Sequence, residues 1–255
     1  MLFLDPLEFM IRPFFFALQF LTRLPVPARE PMLSEAEQGK SLLYYPLVGL
    51  LIGLLLIGTG AMTSSADPLL RATLLLIVWV AVTGGLHIDG LADMADAWIG
   101  GQGDRDRTLE IMKDPRCGPS AVAAIVLLLL VKLAALHALL LQGSWEVVLL
   151  APMIGRLSLV TTFLYLPYIR PSGLGAMLAA HFPRAQAVRV LLASLLFGLI
   201  IQGWLAVGML LFCALLFIVY RQMLLSRIGG FTGDSAGALC ELTEATALIA
   251  AALLL

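Results

Sequence analysis

Residues 118–141 read GPSAVAAIVLLLLVKLAALHALLL, a run of 24 residues broken by one lysine and one histidine. A membrane crossing needs roughly 20 consecutive apolar residues, so this run is long enough to span a bilayer. It carries no alternation of apolar and polar residues, which a barrel strand would need. A lipid-embedded backbone must satisfy its own hydrogen bonds, so the run is read as a helix. Similar runs extend on both sides of it. They predict crossings at about 42–62, 68–87, 145–165, 190–201, 204–223 and 235–255. The opening segment, from Pro6 to about Leu24, is Phe-rich and contains Arg12. It fits an interfacial helix and a spanning helix equally well. The expected fold is therefore all-α: a polytopic transmembrane bundle of about seven crossings, forming a single integral-membrane domain over residues 1–255.

Composition agrees. The chain is 60% hydrophobic and only 13% charged, against about 25% charged in soluble domains. Its net charge of −1 gives no sign of a nucleic-acid partner. The expected macromolecular surroundings are membrane lipid, and a homo-oligomer is left open. The three cysteines, Cys117, Cys213 and Cys240, are far apart and match neither a disulfide framework nor a zinc site.

The polar stretches between crossings carry the topology. Loops numbered alternately from residue 25 place segments 25–41, 88–117, 166–189 and 224–234 on one side. With their bordering helix ends they hold 12 Lys and Arg residues, against Arg71 alone on the other side. Short basic loops stay in the cytoplasm, so these segments are expected to face it.

Three constellations on that face carry chemistry. In His87-Ile88-Asp89-Gly90-Leu91-Ala92-Asp93-Met94-Ala95-Asp96 the aspartates stand at i, i+4 and i+7, on one helical face. Carboxylates stacked in this way repel one another unless a cation lies between them. Mg²⁺ takes carboxylate and phosphate oxygens, so Asp89, Asp93 and Asp96 are metal-ligand and catalytic candidates. His87 suits a carboxylate partner or a helix end. The second constellation is Gly229-Gly230-Phe231-Thr232-Gly233-Asp234, followed by Glu241 and Glu244. Asp234, Glu241 and Glu244 can share one face of the last helix and join the metal set. Buried intramembrane acids default to function. Gly230 and Thr232 lie where backbone can approach a ligand closely.

The third constellation, residues 104–118, holds Arg105, Arg107, Lys113, Asp114 and Arg116. Arg105 and Arg107 read as topological anchors. Lys113, Asp114 and Arg116 read as catalytic or substrate contacts, because guanidinium forks suit phosphate. Arg156, inside a crossing, needs a partner, with Asp96 and Glu241 as the expected ones. Lys132 reads as a structural ion pair or a site residue. Arg170, in Arg170-Pro171-Ser172-Gly173-Leu174-Gly175, is a loop candidate for substrate binding. Acids for a metal beside bases for phosphate point to phosphoryl-type transfer.

These same stretches resemble the cobalamin synthase family, the adenosylcobinamide-GDP ribazoletransferases. The similarity lies in 87–96, in Glu110-Ile111-Met112-Lys113-Asp114-Pro115-Arg116-Cys117-Gly118, in 170–175 and in 230–234. It extends to Phe20-Leu21-Thr22-Arg23-Leu24-Pro25-Val26-Pro27 and Tyr44-Tyr45-Pro46-Leu47-Val48-Gly49. Pro115 and Trp98 depart from the family pattern without removing a charged group. The resemblance implies Mg²⁺ as cofactor and the bacterial inner membrane as location. It implies transfer of the phospho-cobinamide moiety of adenosylcobinamide-GDP to α-ribazole, or its 5′-phosphate, with release of GMP. A cation-coupled transporter and a CDP-alcohol phosphotransferase are the alternatives. The first should show inverted repeats, and the second a longer Asp motif; neither is found in the sequence.

Overall fold

In the computed structural model, residues 6–26 and 33–255 are described, with side chains from Ile11 onward. The described residues form helices α1 (Pro6–Leu21), α2 (Glu35–Ser41), α3 (Tyr45–Met62), α4 (Pro68–Thr83), α5 (Leu86–Gly100) and α6 (Arg105–Ile111). There follow α7 (Pro119–Leu141), α8 (Ala151–Tyr165), α9 (Leu174–Ala180), α10 (Arg184–Gln202), α11 (Trp204–Arg227) and α12 (Gly233–Leu254). Six helical stretches are long and apolar enough to cross a membrane, or seven if the bent pair α4–α5 counts as one span. The chain is thus a polytopic helical membrane protein.

Two departures from the expected crossings matter. The polar stretch before the first crossing is itself helical: α2 runs through a 3₁₀ turn into α3, making one stretch from Glu35 to Met62. Ser34 starts it with a reciprocal capping box to Glu37. The expected straight crossing 68–87 is broken. Gly84 and Gly85 both take left-handed φ, +63° and +70°, and the two arms meet at 88°. A left-handed residue ends a helix, and two in succession redirect the chain. His87 therefore lies in the first turn of α5 rather than at the end of a span. At 15 residues with three aspartates, α5 is too short and acidic to be a crossing of its own.

Helix packing uses small residues, as expected where lipid removes the hydrophobic drive for association. Gly49 and Gly53, four apart on α3, lie directly against backbone of Pro152 and Leu149; a Cβ at either would overlap it. The central helix is α8, with 89% of its span buried. It carries Arg156 into the bundle interior, where α12 meets it through Gly155.

The chain segments that bear the candidate residues converge. Arg105 Nε donates to the Ile228 carbonyl (3.1 Å) and Arg227 Nη2 to the Trp98 carbonyl (3.0 Å). Ile169 N donates to Phe231 O (3.0 Å) and Phe231 N to Pro167 O (2.9 Å), joining loop 166–173 to the turn before α12. Elsewhere, Arg71 stacks on Trp145 at 4.3 Å, the cation–π contact holding the α4 start to the α8 approach.

Candidate functional site

Helix α5 has the periodicity expected of it, and its acids emerge on one side. Its other side packs against α12 in opposite chain direction: a Cβ on Gly90 would meet the Asp234 carbonyl at 2.7 Å, and one on Gly237 would meet His87 Cα at 3.3 Å. This close approach places Asp234, in the first turn of α12, beside Asp89 and Asp93. Thr232 caps α12 by accepting from Ser235 N (3.2 Å), and its hydroxyl also reaches Met112 Sδ (3.2 Å). Gly230 lies against the Pro167 carbonyl with no room for a side chain. Thr232 and Gly230 thus shape the turn that aims Asp234.

The acids differ in their partners. Asp96 accepts from Gly118 N and from Ala121 N (2.9 Å), capping the start of α7 from another helix. Asp234 pairs with Arg170 Nη2 at 2.6 Å. Among the described residues, neither Asp89 nor Asp93 has an ion pair. Asp93 is pushed up to about 6 from 3.8, first by burial and then by Asp234 and Asp89, with Arg170 offsetting part and Asp96 adding to it. The cluster carries more negative charge than its one arginine balances.

Two cavities border it. A polar one of about 440 Å³ is lined by Arg23, Asp89, Asp93, Asp96 and Arg116. Arg116 hydrogen-bonds Asp114 through Nε (2.9 Å) and Nη2 (2.5 Å), which holds the Asp114 carboxyl down at about 2. Lys113 is exposed and is not among the residues lining this cavity. A second cavity of about 240 Å³ is lined by Asp89, Asp234 and His87 and by Phe20, Tyr45, Phe163, Tyr168 and Phe231. Asp89 is common to both. A larger space of about 550 Å³ between α8, α10 and α11 is lined mainly by apolar side chains, with Ser158, Thr161 and Thr243, and by none of these charges.

Glu241, Glu244 and Arg156 are organised separately. Lys132 pairs with both glutamates, and Arg156 pairs with Glu244. All four side chains are at most 4% exposed, and Lys132 Nζ also lies 4.7 Å from the Trp79 ring centre. The expected partners of Arg156 were Asp96 and Glu241. Asp96 is instead spent on the start of α7, and Glu241 is met by Lys132. The tetrad thus pairs two acids with two bases.

Arg23 is a lining residue that the sequence presents only as one more basic residue of the polar face. Its backbone N–H donates to Val82 O (2.7 Å) and its side chain lies over Gly84. The aromatic wall was marked only in part: Phe20, Tyr45 and Phe231 lie in the family-like stretches, while Phe163 and Tyr168 do not.

Among the described residues no group of three His, Cys, Asp or Glu side chains stands ready to hold an ion. Mg²⁺ commonly takes one or two carboxylates, with water and substrate phosphates completing its shell. The unpaired Asp89 and Asp93 beside a cavity with two arginines fit that mode.

The chain matches the family model described as cobalamin-5-phosphate synthase over residues 13–252. It is 52% identical to the adenosylcobinamide-GDP ribazoletransferase of Pseudomonas syringae pv. syringae (strain B728a), covering 95% of this chain and 99% of that one. The enzymes of the same name from Pseudomonas putida (strain W619) and Stutzerimonas stutzeri (strain A1501) are 50% and 49% identical, each over 94% of this chain and 98% of the relative. No solved structure matches.

Proposed function

This chain belongs to the cobalamin-5-phosphate synthase family, and from that membership we infer that it is an adenosylcobinamide-GDP ribazoletransferase acting as a single unit in the bacterial inner membrane. Its substrates are adenosylcobinamide-GDP and α-ribazole or the 5′-phosphate of α-ribazole. Its products are adenosylcobalamin or the corresponding phosphate, and GMP. The excess of Lys and Arg on one set of loops supports a site open to the cytoplasm.

The observation that carries the site assignment is the uncompensated carboxylate cluster on α5 and α12, opening into a cavity bordered by Arg23 and Arg116. Asp89 and Asp93 would hold Mg²⁺, with Asp96 and Asp234 completing the acidic field. When bound, the ion supplies charge neutralisation for the diphosphate and the developing transition-state charge. Arg23, Lys113 and Arg116 bind the diphosphate, and Asp114 orients Arg116. Arg170 fixes the rotamer of Asp234. A ribose hydroxyl of the acceptor attacks the phosphorus on the corrinoid arm. A P–O bond forms to that hydroxyl oxygen, the P–O bond to GMP breaks, and the hydroxyl proton passes to a carboxylate of the cluster. Such transfers are driven mainly by positioning and charge stabilisation. Glu241, Glu244, Lys132 and Arg156 act as an internal brace joining α7, α8 and α12.

The test is mass-spectrometric measurement of GMP release by purified protein in nanodiscs, given adenosylcobinamide-GDP with and without α-ribazole. Release that needs both the acceptor and Mg²⁺ is expected. Release of GMP with neither would contradict the reading.

A further inference from the structure

The reaction joins two substrates of different character, and the site has two cavities of different character that share one carboxylate. The polar cavity has arginines and acids. The other is aromatic: Phe163 lies 4.9 Å from Phe231 and 6.4 Å from Tyr168 between ring centres, and Phe20 lies 6.4 Å from Tyr45. At about 240 Å³ it falls below the ~300–1,000 Å³ of sites that take a whole drug-sized ligand. It suits one planar ring system.

We propose that this aromatic cavity is the binding site for the base of the acceptor nucleoside, and that it sets the enzyme's preference for an apolar bicyclic base. The proposal rests on the ribazoletransferase reading and adds a division of the site to it. Stacking surfaces hold a planar base without requiring polar partners. The benzimidazole of ribazole presents one ring nitrogen at its edge. His87, only 5% exposed, and Tyr45 both line the cavity, and His87 Nδ1 and the Tyr45 hydroxyl are buried without a hydrogen-bond partner, so an unpaired polar group is on hand for that single nitrogen. Guanine fits this chemistry less well, since its edge carries several donors and acceptors, more than the few polar groups of this largely aromatic wall would meet. At the acidic end, Asp89 and Asp234 accept hydrogen bonds from ribose hydroxyls. Because Asp89 also borders the polar cavity, a base seated among the aromatics brings its ribose to the diphosphate.

The test uses the full-length protein in nanodiscs, with the KM of each substrate measured at saturation of the other. Phe163→Leu and Phe231→Leu keep apolar bulk and remove a stacking face. Stacking losses of about 1–3 kcal/mol per base correspond to a KM for α-ribazole raised by about fivefold or more. The KM for adenosylcobinamide-GDP is expected to stay within about twofold, set by the polar cavity. An unchanged acceptor KM, or a rise confined to adenosylcobinamide-GDP, would overturn the proposal. Labelling wild-type protein with a photoreactive azidobenzimidazole riboside tests it without any variant. Peptides bearing Phe163, Tyr168 or Phe231 should be labelled, and labelling confined to other peptides would overturn it. A wild-type protein that binds the riboside at this wall but releases no GMP would refute the transferase reading and leave the aromatic site standing.

Discussion

Glu244→Gln separates a brace from a metal ligand. Glu244 is the only carboxylate paired with Arg156 among the described residues, and both side chains are 0% exposed. Arg156 already has two buried nitrogens, Nε and Nη2, without partners. Its other contact is the Pro152 carbonyl at 3.5 Å. Replacing Glu244 by Gln leaves a full positive charge in the bundle interior. Breaking a buried pair from one side costs about 3–5 kcal/mol. For a protein of this size each kcal/mol moves Tm by roughly 2–4 °C, so a fall on the order of 10 °C is expected. Glu241→Gln should cost less, about 1–3 kcal/mol, because Lys132 keeps Glu244. Removing both charges in an Arg156→Leu/Glu244→Leu double variant should recover most of the stability, since an apolar replacement for an ion pair is often neutral. The assay is thermal unfolding in nanodiscs, with the Mg²⁺ concentration for half-maximal turnover measured on the same samples. The account expects lower Tm with that Mg²⁺ requirement unchanged. A Glu244→Gln protein with wild-type Tm and a strongly raised Mg²⁺ requirement would refute the brace and return Glu244 to the metal set.

Three further outcomes are expected. Gly84→Ala and Gly85→Ala both force a side chain into left-handed φ, at about 1–2 kcal/mol each, but only at Gly84 would the new Cβ strike the Arg23 side chain. GMP release should therefore fall further in Gly84→Ala, and equal losses would disconnect Arg23 from the site. Metal-free protein should lose stability as pH rises from 3.8 through about 6, because Asp93 holds its proton more tightly folded than unfolded over that window. Tm measured across it in chelator, with Asp93→Asn as control, checks this, and a rise in wild type would reverse the sign. Asp96→Ala should destabilise by about 0.5–2 kcal/mol, the worth of a helix cap, a loss that thermal unfolding would detect.

The crossings were legible because a span is a local property that length and apolarity suffice to mark. The face shared by Asp89, Asp93 and Asp96 was legible for the same reason, as helical periodicity is local. The break at Gly84–Gly85 was not, because the apolar run continues through both glycines to His87, and the 88° turn depends on what α5 packs against. Partner choice was beyond reach too. Arg156 and Glu244 are 88 positions apart, and Lys132 and Glu241 are 109 apart. A helical face says which side an acid occupies but not which helix faces it. The aromatic cavity draws on α1, α3, α8, a loop and the turn before α12, and although Phe20, Tyr45 and Phe231 lie in family-like stretches, no local pattern brings the five rings together.

The most direct measurement is the turnover number for GMP release at saturating substrates and Mg²⁺ in Asp89→Asn and Asp93→Asn, each compared with wild type. Losing charge stabilisation in such a site typically lowers turnover by about 10²–10³-fold, and the account predicts losses of that order in both variants with Tm preserved or raised. Turnover close to wild type in both would contradict it.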